Sequence, residues 1–301
     1  MGADPRPHYT NPVTEIRPED CQALIRMALA EDAPEGDVTS EPIFPPSQRG
    51  GARVVSRVSG VLCGRPVVDQ LLAEDRERFG LERAVTVQWN QSDGDAFQPG
   101  DALARFEGPV ADLLRLERII LNFLQYLSGI SSVVRSAVDQ AGPAVAVLDT
   151  RKTLPGYRRL AKYAVYQGGG TNHRIHLSDM AMIKDNHIAA AGGITAAVEK
   201  IRAARPDVPL EIEVDTLEQL TEALDQKPDT VLLDNMRGDR LERAVALIRE
   251  RPEGERPFIE ISGGVRPEDL PGLRALGPLG VSMGYLTHTT AFLDLSMEFE
   301  S

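Results

Sequence analysis

The stretch from Asp149 to Ile188 reads DTRKTLPGYRRLAKYAVYQGGGTNHRIHLSDMAMIKDNHI. Between Thr150 and Ser178 it contains no Asp or Glu, yet it holds Arg151, Lys152, Arg158, Arg159, Lys162 and Arg174. Acids make up 45 of the 301 residues. Chance would put roughly four in such a window, so their absence is a local reversal of charge. Three of the five histidines, His173, His176 and His187, lie within it or just after it. A cationic island in a chain of net charge −12 suits an anionic small molecule. An ordinary basic run is a solvated helix face. Here the charges flank a Gly-Gly-Gly loop and sit beside strand ends, where sites form.

Two kinds of chemistry can be read from the residue types. Arg151, Lys152, His173, Arg174 and Lys184 form an anion trap, in which the guanidinium groups can grip planar carboxylates or phosphates through paired hydrogen bonds. Glu213 and Asp234 end neighbouring strand patterns. They could hold magnesium, often through water, accept from ribose hydroxyls, or form a structural ion pair with a nearby Lys. Ser262-Gly263-Gly264 precedes Pro267, a plausible first helical residue. Glycines let a phosphate approach the backbone, and a helix start presents free N–H groups. Gly284, after the next strand, is a second loop of this kind. Barrels often bind phosphate in the loops after their last strands.

The elements that must position these groups begin at residue 144. Apolar runs at Ala144–Leu148, Met180–Ile183, Leu210–Val214, Val231–Leu233, Phe258–Ile261 and Gly280–Met283 predict six short strands. Helical patterns lie between them at Gly193–Ala204, Thr216–Leu224, Arg240–Glu250 and Pro267–Leu276. Thr216 with Gln219 is a capping box. Alternating strand and helix implies parallel pairing by right-handed crossovers. The fold class is therefore α/β, with a compact barrel short of eight strands; a doubly wound open sheet is the alternative. In a barrel, polar residues following the strands converge on one mouth.

The first part of the chain mixes helix and strand without a repeat. Helices are expected from Pro18, from Pro66 to Gly80 and over Val110–Val138. Short strands are expected within Gly51–Gly64, around Val85–Trp89 and over Leu103–Phe106. The first 14 residues read as a loose, Pro-rich arm. The N-terminus lacks the apolar core of a secretory signal, and no run of 18 apolar residues suggests a membrane span. The acidic balance argues against nucleic acid or an anionic membrane as partner. With only Cys21 and Cys63, a reducing compartment, the cytoplasm, is expected.

The motifs DTRKTLPGYR, KYAVYQGGGTNHR, MIKDNH, EIEVDT, LLDN, ISGGV and GYLTHT occur in this order, preceded by EDAPEGDVTS and RLERIILNFLQYLSGI. Over about residues 20 to 298 the chain resembles the quinolinate phosphoribosyltransferase family, of the type II phosphoribosyltransferase fold. The resemblance implies an N-terminal α/β sandwich over 1–128, with segment 286–301 packing back on it, and an incomplete α/β barrel of the seven-stranded type over 129–285. It implies transfer of the phosphoribosyl group of 5-phosphoribosyl-1-pyrophosphate to quinolinate with decarboxylation. The products are nicotinate mononucleotide, pyrophosphate and carbon dioxide, in NAD biosynthesis, with magnesium required. It also implies a homodimer with shared sites.

Residue by residue, the resemblance places Arg151, His173 and Arg174 on the quinolinate carboxylates, with Thr150 close by. Lys152 and Lys184 meet the phosphoribosyl pyrophosphate and the substrate's edge. Glu213 and Asp234 address ribose hydroxyls and magnesium. Ser262, Gly263, Gly264 and Gly284 cradle the 5-phosphate, and Arg118 reaches into the partner subunit's site. Lys152, Lys184, Glu213 and Asp234 are the expected catalytic groups. Tyr166, Gln167 and Tyr285 depart from the family pattern. Three other readings compete: a phosphoribosyltransferase for a pyridine monoacid, which needs fewer cations; an aldolase-type barrel with Lys184 as a Schiff-base amine; and a non-enzymatic phosphometabolite-binding subunit.

Overall fold

A computed structural model describes residues 12–300. Most of the expected N-terminal arm, residues 1–11, lies outside the described residues. The chain divides into two compact units, one of residues 13–135, 153–169 and 286–301, the other of 136–152 and 170–285.

The first unit opens with helix α1 (Pro18–Asp32), entered by Pro18 with Glu19 and Asp20 in its first turn, and a short α2 (Ser40–Ile43). Strands β1 (Arg49–Ser56) and β2 (Gly60–Val61) follow, then α3 (Arg65–Phe79), which Gly80 ends at φ 87°. Next come β3 (Thr86–Trp89), β4 (Ala96–Phe97), β5 (Ala102–Pro109) and the long α4 (Val110–Ala141). The main sheet is antiparallel in the order β12-β1-β5-β3, where β12 (Leu295–Phe299) returns from the far end of the chain to pair with β1. The core draws on Ile25 and Leu29 of α1, on Val67, Val68 and Leu71 of α3, and on Leu113, Leu116, Ile120, Leu124 and Leu127 of α4. The α4 residues recur at three and four, as an amphipathic helix requires.

Residues 153–169, assigned by sequence to the barrel, belong instead to this first unit. They contain α5 (Arg158–Gln167), an element that the basic charges of the segment hid. Ser131 Oγ on α4 donates to the Ala164 carbonyl at 2.8 Å, and Arg135 Nε donates to that of Gly168 at 3.0 Å. Tyr163 donates to Asp93 at 2.8 Å. A Cβ at Gly168 would lie 2.7 Å from Val134 Cβ, so only glycine lets the end of α5 sit this close to α4.

The second unit is built on one parallel sheet. Its strands are β6 (Val145–Leu148), β7 (Ala181–Ile183), β8 (Leu210–Val214), β9 (Thr230–Asp234), β10 (Phe258–Ser262) and β11 (Leu279–Ser282). Helices α6 (Asp185–Ala191), α7 (Ile194–Ala204), α8 (Leu217–Asp225), α9 (Gly238–Glu250) and α10 (Leu270–Leu273) run between them, and α11 (Tyr285–His288) follows the last strand. The sheet order is β6-β11-β10-β9-β8-β7. Strands after the first add one by one, and the last returns beside the first. This is the winding of a barrel; a doubly wound sheet would reverse direction. Among the described residues the barrel has six strands and stays open between β7 and β6. There an isolated parallel bridge from Leu148 to Thr171 continues the pairing by one residue. The longer crossover helices α7, α8 and α9 each bury one stripe, as in Leu241, Ala244, Val245 and Ile248 of α9. Thr216 caps α8 by accepting from Gln219 N at 3.1 Å, while the Gln219 side chain accepts from Asp215 N.

Candidate active site

Residues two apart on a strand share a face. On β8 these are Glu211 and Glu213, on β9 Leu232 and Asp234, and on β10 Glu260 and Ser262. The register places Leu232 beside both Glu213 and Glu260, and Asp234 beside Ser262. The polar members therefore come together at the carboxyl ends of the strands, where they meet the loops after β6 and β7. There Thr150, Arg151, Lys152, His173, Arg174, Lys184, Glu213 and Ser262 line one cavity of about 340 Å³, with Glu260, Ser282 and Asp149 also on its wall. A second cavity of about 80 Å³ is shaped by Asp185, Glu213, Asp215 and Asp234. Glu213 belongs to both.

The cationic wall is held from behind. Asp149, fully buried at the end of β6, accepts from His173 N and from Asn172 Nδ2, both at 2.8 Å. The Thr171 N–H donates to the Val147 carbonyl at 2.7 Å. Asp179 accepts from Ile175 N and His176 N. The Thr-Asn-His-Arg turn is thus tied to the barrel at both ends. Arg174 extends from it, donating through its guanidinium to the Met180 carbonyl at 3.0 Å. Thr150 Oγ1 accepts from Lys152 N and shapes the turn after β6. The Nε of Arg151 is buried with no hydrogen-bond acceptor among the described residues. Leaving such a donor unsatisfied costs free energy that an anionic ligand would recover. Lys184 Nζ donates to Glu213 at 2.5 Å. A Schiff-base amine stands desolvated among apolar groups or beside another cation, so this ion pair counts against the aldolase reading.

The phosphate-loop residues sit at the ends of β10 and β11. Gly263 and Gly264 have φ of 95° and 64°. A Cβ on Gly263 would come within 2.6 Å of the Asn235 backbone N, whereas Gly264 opens onto free space with nothing nearer than Arg237 at 4.0 Å. Asn235 itself has φ 52°, a left-handed conformation its amide tolerates and one that often marks functional loops. Its Nδ2 donates to Asp234 at 2.6 Å, fixing that carboxylate. Gly284 follows β11. Arg118 lies elsewhere, on an exposed face of α4 in the other unit.

Sequence reasoning gave no role to Glu211 or Glu260. Both are fully buried, and His173 Nε2 lies 3.2 Å from Glu211 Oε2 and 3.3 Å from Glu260 Oε2. The signal was there: a single Glu in the apolar run Phe-Ile-Glu-Ile of a buried parallel strand is anomalous. The trio has the spacing of a metal site. However, His173 Nδ1 accepts from Arg174 N at 2.8 Å, so the neutral ring carries its proton on Nε2 and cannot ligate there. Burial alone would lower the basicity of His173, but the charges of Glu260 and Glu211 outweigh it and push the ring up to about 10. Burial, reinforced by Glu260, lifts Glu211 to about 7. Both shifts mean that the trio retains an extra proton as a unit.

Comparison with known proteins decides the kinship. The sequence matches the family models for the quinolinate phosphoribosyl transferase N-terminal domain over residues 37–128 and C-terminal domain over residues 130–298. The chain belongs to the quinolinate phosphoribosyl transferase family. It is 39% identical over 278 residues to a probable nicotinate-nucleotide pyrophosphorylase [carboxylating] of Bacillus subtilis, covering 91% of this chain and 92% of that protein. It is 38% identical over 276 residues to the nicotinate-nucleotide pyrophosphorylase [carboxylating] of Mycobacterium leprae, covering 91% and 95%. The solved nicotinate-nucleotide pyrophosphorylase of Francisella tularensis superposes with a TM-score of 0.88 at 32% identity, over 97% of this chain and 100% of that one. The seam between the two family domains falls inside α4, which runs unbroken through it. Among the described residues no helix is long and apolar enough to cross a membrane.

Proposed function

We infer that this chain transfers the phosphoribosyl group of 5-phosphoribosyl-1-pyrophosphate to quinolinate with decarboxylation, yielding nicotinate mononucleotide, pyrophosphate and carbon dioxide. The step belongs to NAD biosynthesis. One observation carries the reading: Arg151, Lys152, Arg174 and Lys184 line a single cavity, with Glu213 beside Lys184 on its wall. Four fixed cations exceed what a pyridine monoacid needs and suit a dianion brought against a polyphosphate.

Arg151 and Arg174 grip the two carboxylates and hold the ring nitrogen towards the sugar, turning an encounter between two anions into an oriented displacement. As pyrophosphate leaves, positive charge builds on the ribose carbon. Glu213 and Asp234, at the ends of adjacent strands, steady that charge as carboxylates do in glycoside chemistry. Lys152 offsets charge on the departing pyrophosphate. The ring nitrogen, now cationic, draws electrons from its neighbour, so the adjacent carboxylate leaves as carbon dioxide and the ring carbon takes a proton. Ser262, Gly263, Gly264 and Gly284 receive the 5-phosphate on backbone N–H groups.

Asp185, Glu213, Asp215 and Asp234 offer hard oxygen donors around the smaller cavity, which fits magnesium. When bound, the ion supplies charge neutralisation at the pyrophosphate. Arg118, exposed on α4, is assigned to the site of a second subunit in a homodimer. The experiment is release of labelled carbon dioxide from carboxyl-labelled quinolinate. Release that requires phosphoribosyl pyrophosphate supports the assignment; none under saturating substrates overturns it and favours the non-enzymatic reading.

A further inference from the structure

We propose that Glu211 and Glu260 are positioning residues that fix the tautomer of His173 and, through it, the peptide that carries Arg174. The proposal rests on reading the larger cavity as the quinolinate site. Both carboxylates are fully buried beneath His173, and both face its Nε2, at 3.2 and 3.3 Å. Neither has a hydrogen-bond donor of its own among the described residues. Two carboxylates in the interior of a barrel are costly where apolar side chains would pack, so their presence calls for a task.

The task follows from the other ring nitrogen. His173 Nδ1 accepts the Arg174 N–H at 2.8 Å, while the His173 N–H is held by Asp149 at 2.8 Å. This arrangement needs the ring proton on Nε2. With acceptors below, Nε2 keeps it. Without them the ring is free to place its proton on Nδ1, where it would meet the Arg174 N–H donor to donor. The peptide would then turn, and the guanidinium, which donates to the Met180 carbonyl and lies near Met182 Sδ, would lose its aim. The relay runs from a carboxylate layer inside the barrel, through one imidazole, to an arginine on the cavity wall. Supporting groups of this kind hold a site to the tolerance that chemistry requires.

The test uses the full chain with Glu260→Leu, Glu260→Gln and Glu211→Gln. Loss of a charge-assisted contact predicts a KM for quinolinate roughly 10–100-fold higher in Glu260→Leu, with the KM for phosphoribosyl pyrophosphate unchanged. Gln restores most of the quinolinate affinity, because its amide oxygen accepts the same N–H. Nitrogen-15 spectra of His173 in the ligand-free wild-type protein show a bare Nδ1 and a protonated Nε2, and Glu260→Leu loses that pattern. The relay is overturned if both KM values rise together, if Gln is as damaging as Leu, or if wild-type His173 carries its proton on Nδ1. The spectra need no substrate, so they decide the relay even where absence of turnover sinks the quinolinate reading.

Discussion

Arg174→Ala is the perturbation whose size the structure sets most directly. The guanidinium lines the cavity and is pre-aimed by its bond to the Met180 carbonyl, so little side-chain freedom remains to be lost when a ligand arrives. A carboxylate gripped by such a fork makes two charge-assisted bonds, each of roughly 1.5–3 kcal/mol. Allowing for a water that takes over part of the contact, the loss is about 3–4 kcal/mol, or roughly 10²–10³-fold in quinolinate affinity. The fold loses less: the carbonyl of buried Met180 gives up one donor, about 1–2 kcal/mol, which shifts Tm by roughly 2–4 °C in a chain of this size. Titration calorimetry with quinolinate, repeated with nicotinate as a monoacid control, measures the first quantity, and a thermal melt the second. Arg174→Lys keeps a charge but not the fork and should recover only part of the loss. Quinolinate affinity unaltered in a folded Arg174→Ala protein would refute the cationic-trap argument.

Other outcomes follow from the same geometry. Glu213→Gln removes the negative charge that Lys184 contacts at 2.5 Å and one charge of the acidic cavity; turnover should drop by roughly 10²-fold or more while quinolinate binding, measured alone, persists. Chelation should stop carbon dioxide release and magnesium restore it, and Asp234→Ala should raise the magnesium needed for half-maximal rate. Arg118→Ala and Arg174→Ala chains, each inactive, should regain activity when mixed, because one hybrid site is whole; a proven heterodimer without activity would count against sharing. Glu211 is lifted by burial to about 7 from an ordinary 4.5, so the folded state holds its proton more tightly than the unfolded one. That contribution is complete below about pH 4.5 and lost as pH rises through 7, at most about 3 kcal/mol. Urea unfolding from pH 5 to 8 should therefore show the wild-type chain losing stability relative to Glu211→Gln, and parallel curves would contradict the shift.

The barrel was legible in the sequence because its strands, three to five residues each, are largely buried on both faces and read as short, mostly apolar runs. Leu210–Val214 was found to the residue. The motif residues after those runs converge as expected, since parallel strands point their carboxyl ends one way. What escaped notice was set by tertiary partners. Arg158–Gln167 carries a helical stripe of Leu160, Tyr163 and Ala164 that its basic charges masked, and Ser131, Arg135 and Asp93 receive it. Asp185–Ala191 buries no residue and so shows no apolar stripe to read. The resemblance implied that 286–301 packs back on the N-terminal part, but the pairing of Leu295–Phe299 with β1 joins segments some 240 residues apart and has no local signal. Glu260 illustrates the deeper limit. A sequence reader looks for charge at strand ends, where solvent and substrate meet. This charge lies two residues earlier, beneath the site, and its meaning depends on which nitrogen of His173 carries a proton. That state is visible only through the Arg174 backbone N–H aimed at Nδ1, a group every residue but proline possesses. Side-chain types can therefore announce where a ligand binds, while the groups that hold the site in register emerge only once backbone donors and buried acceptors are counted together.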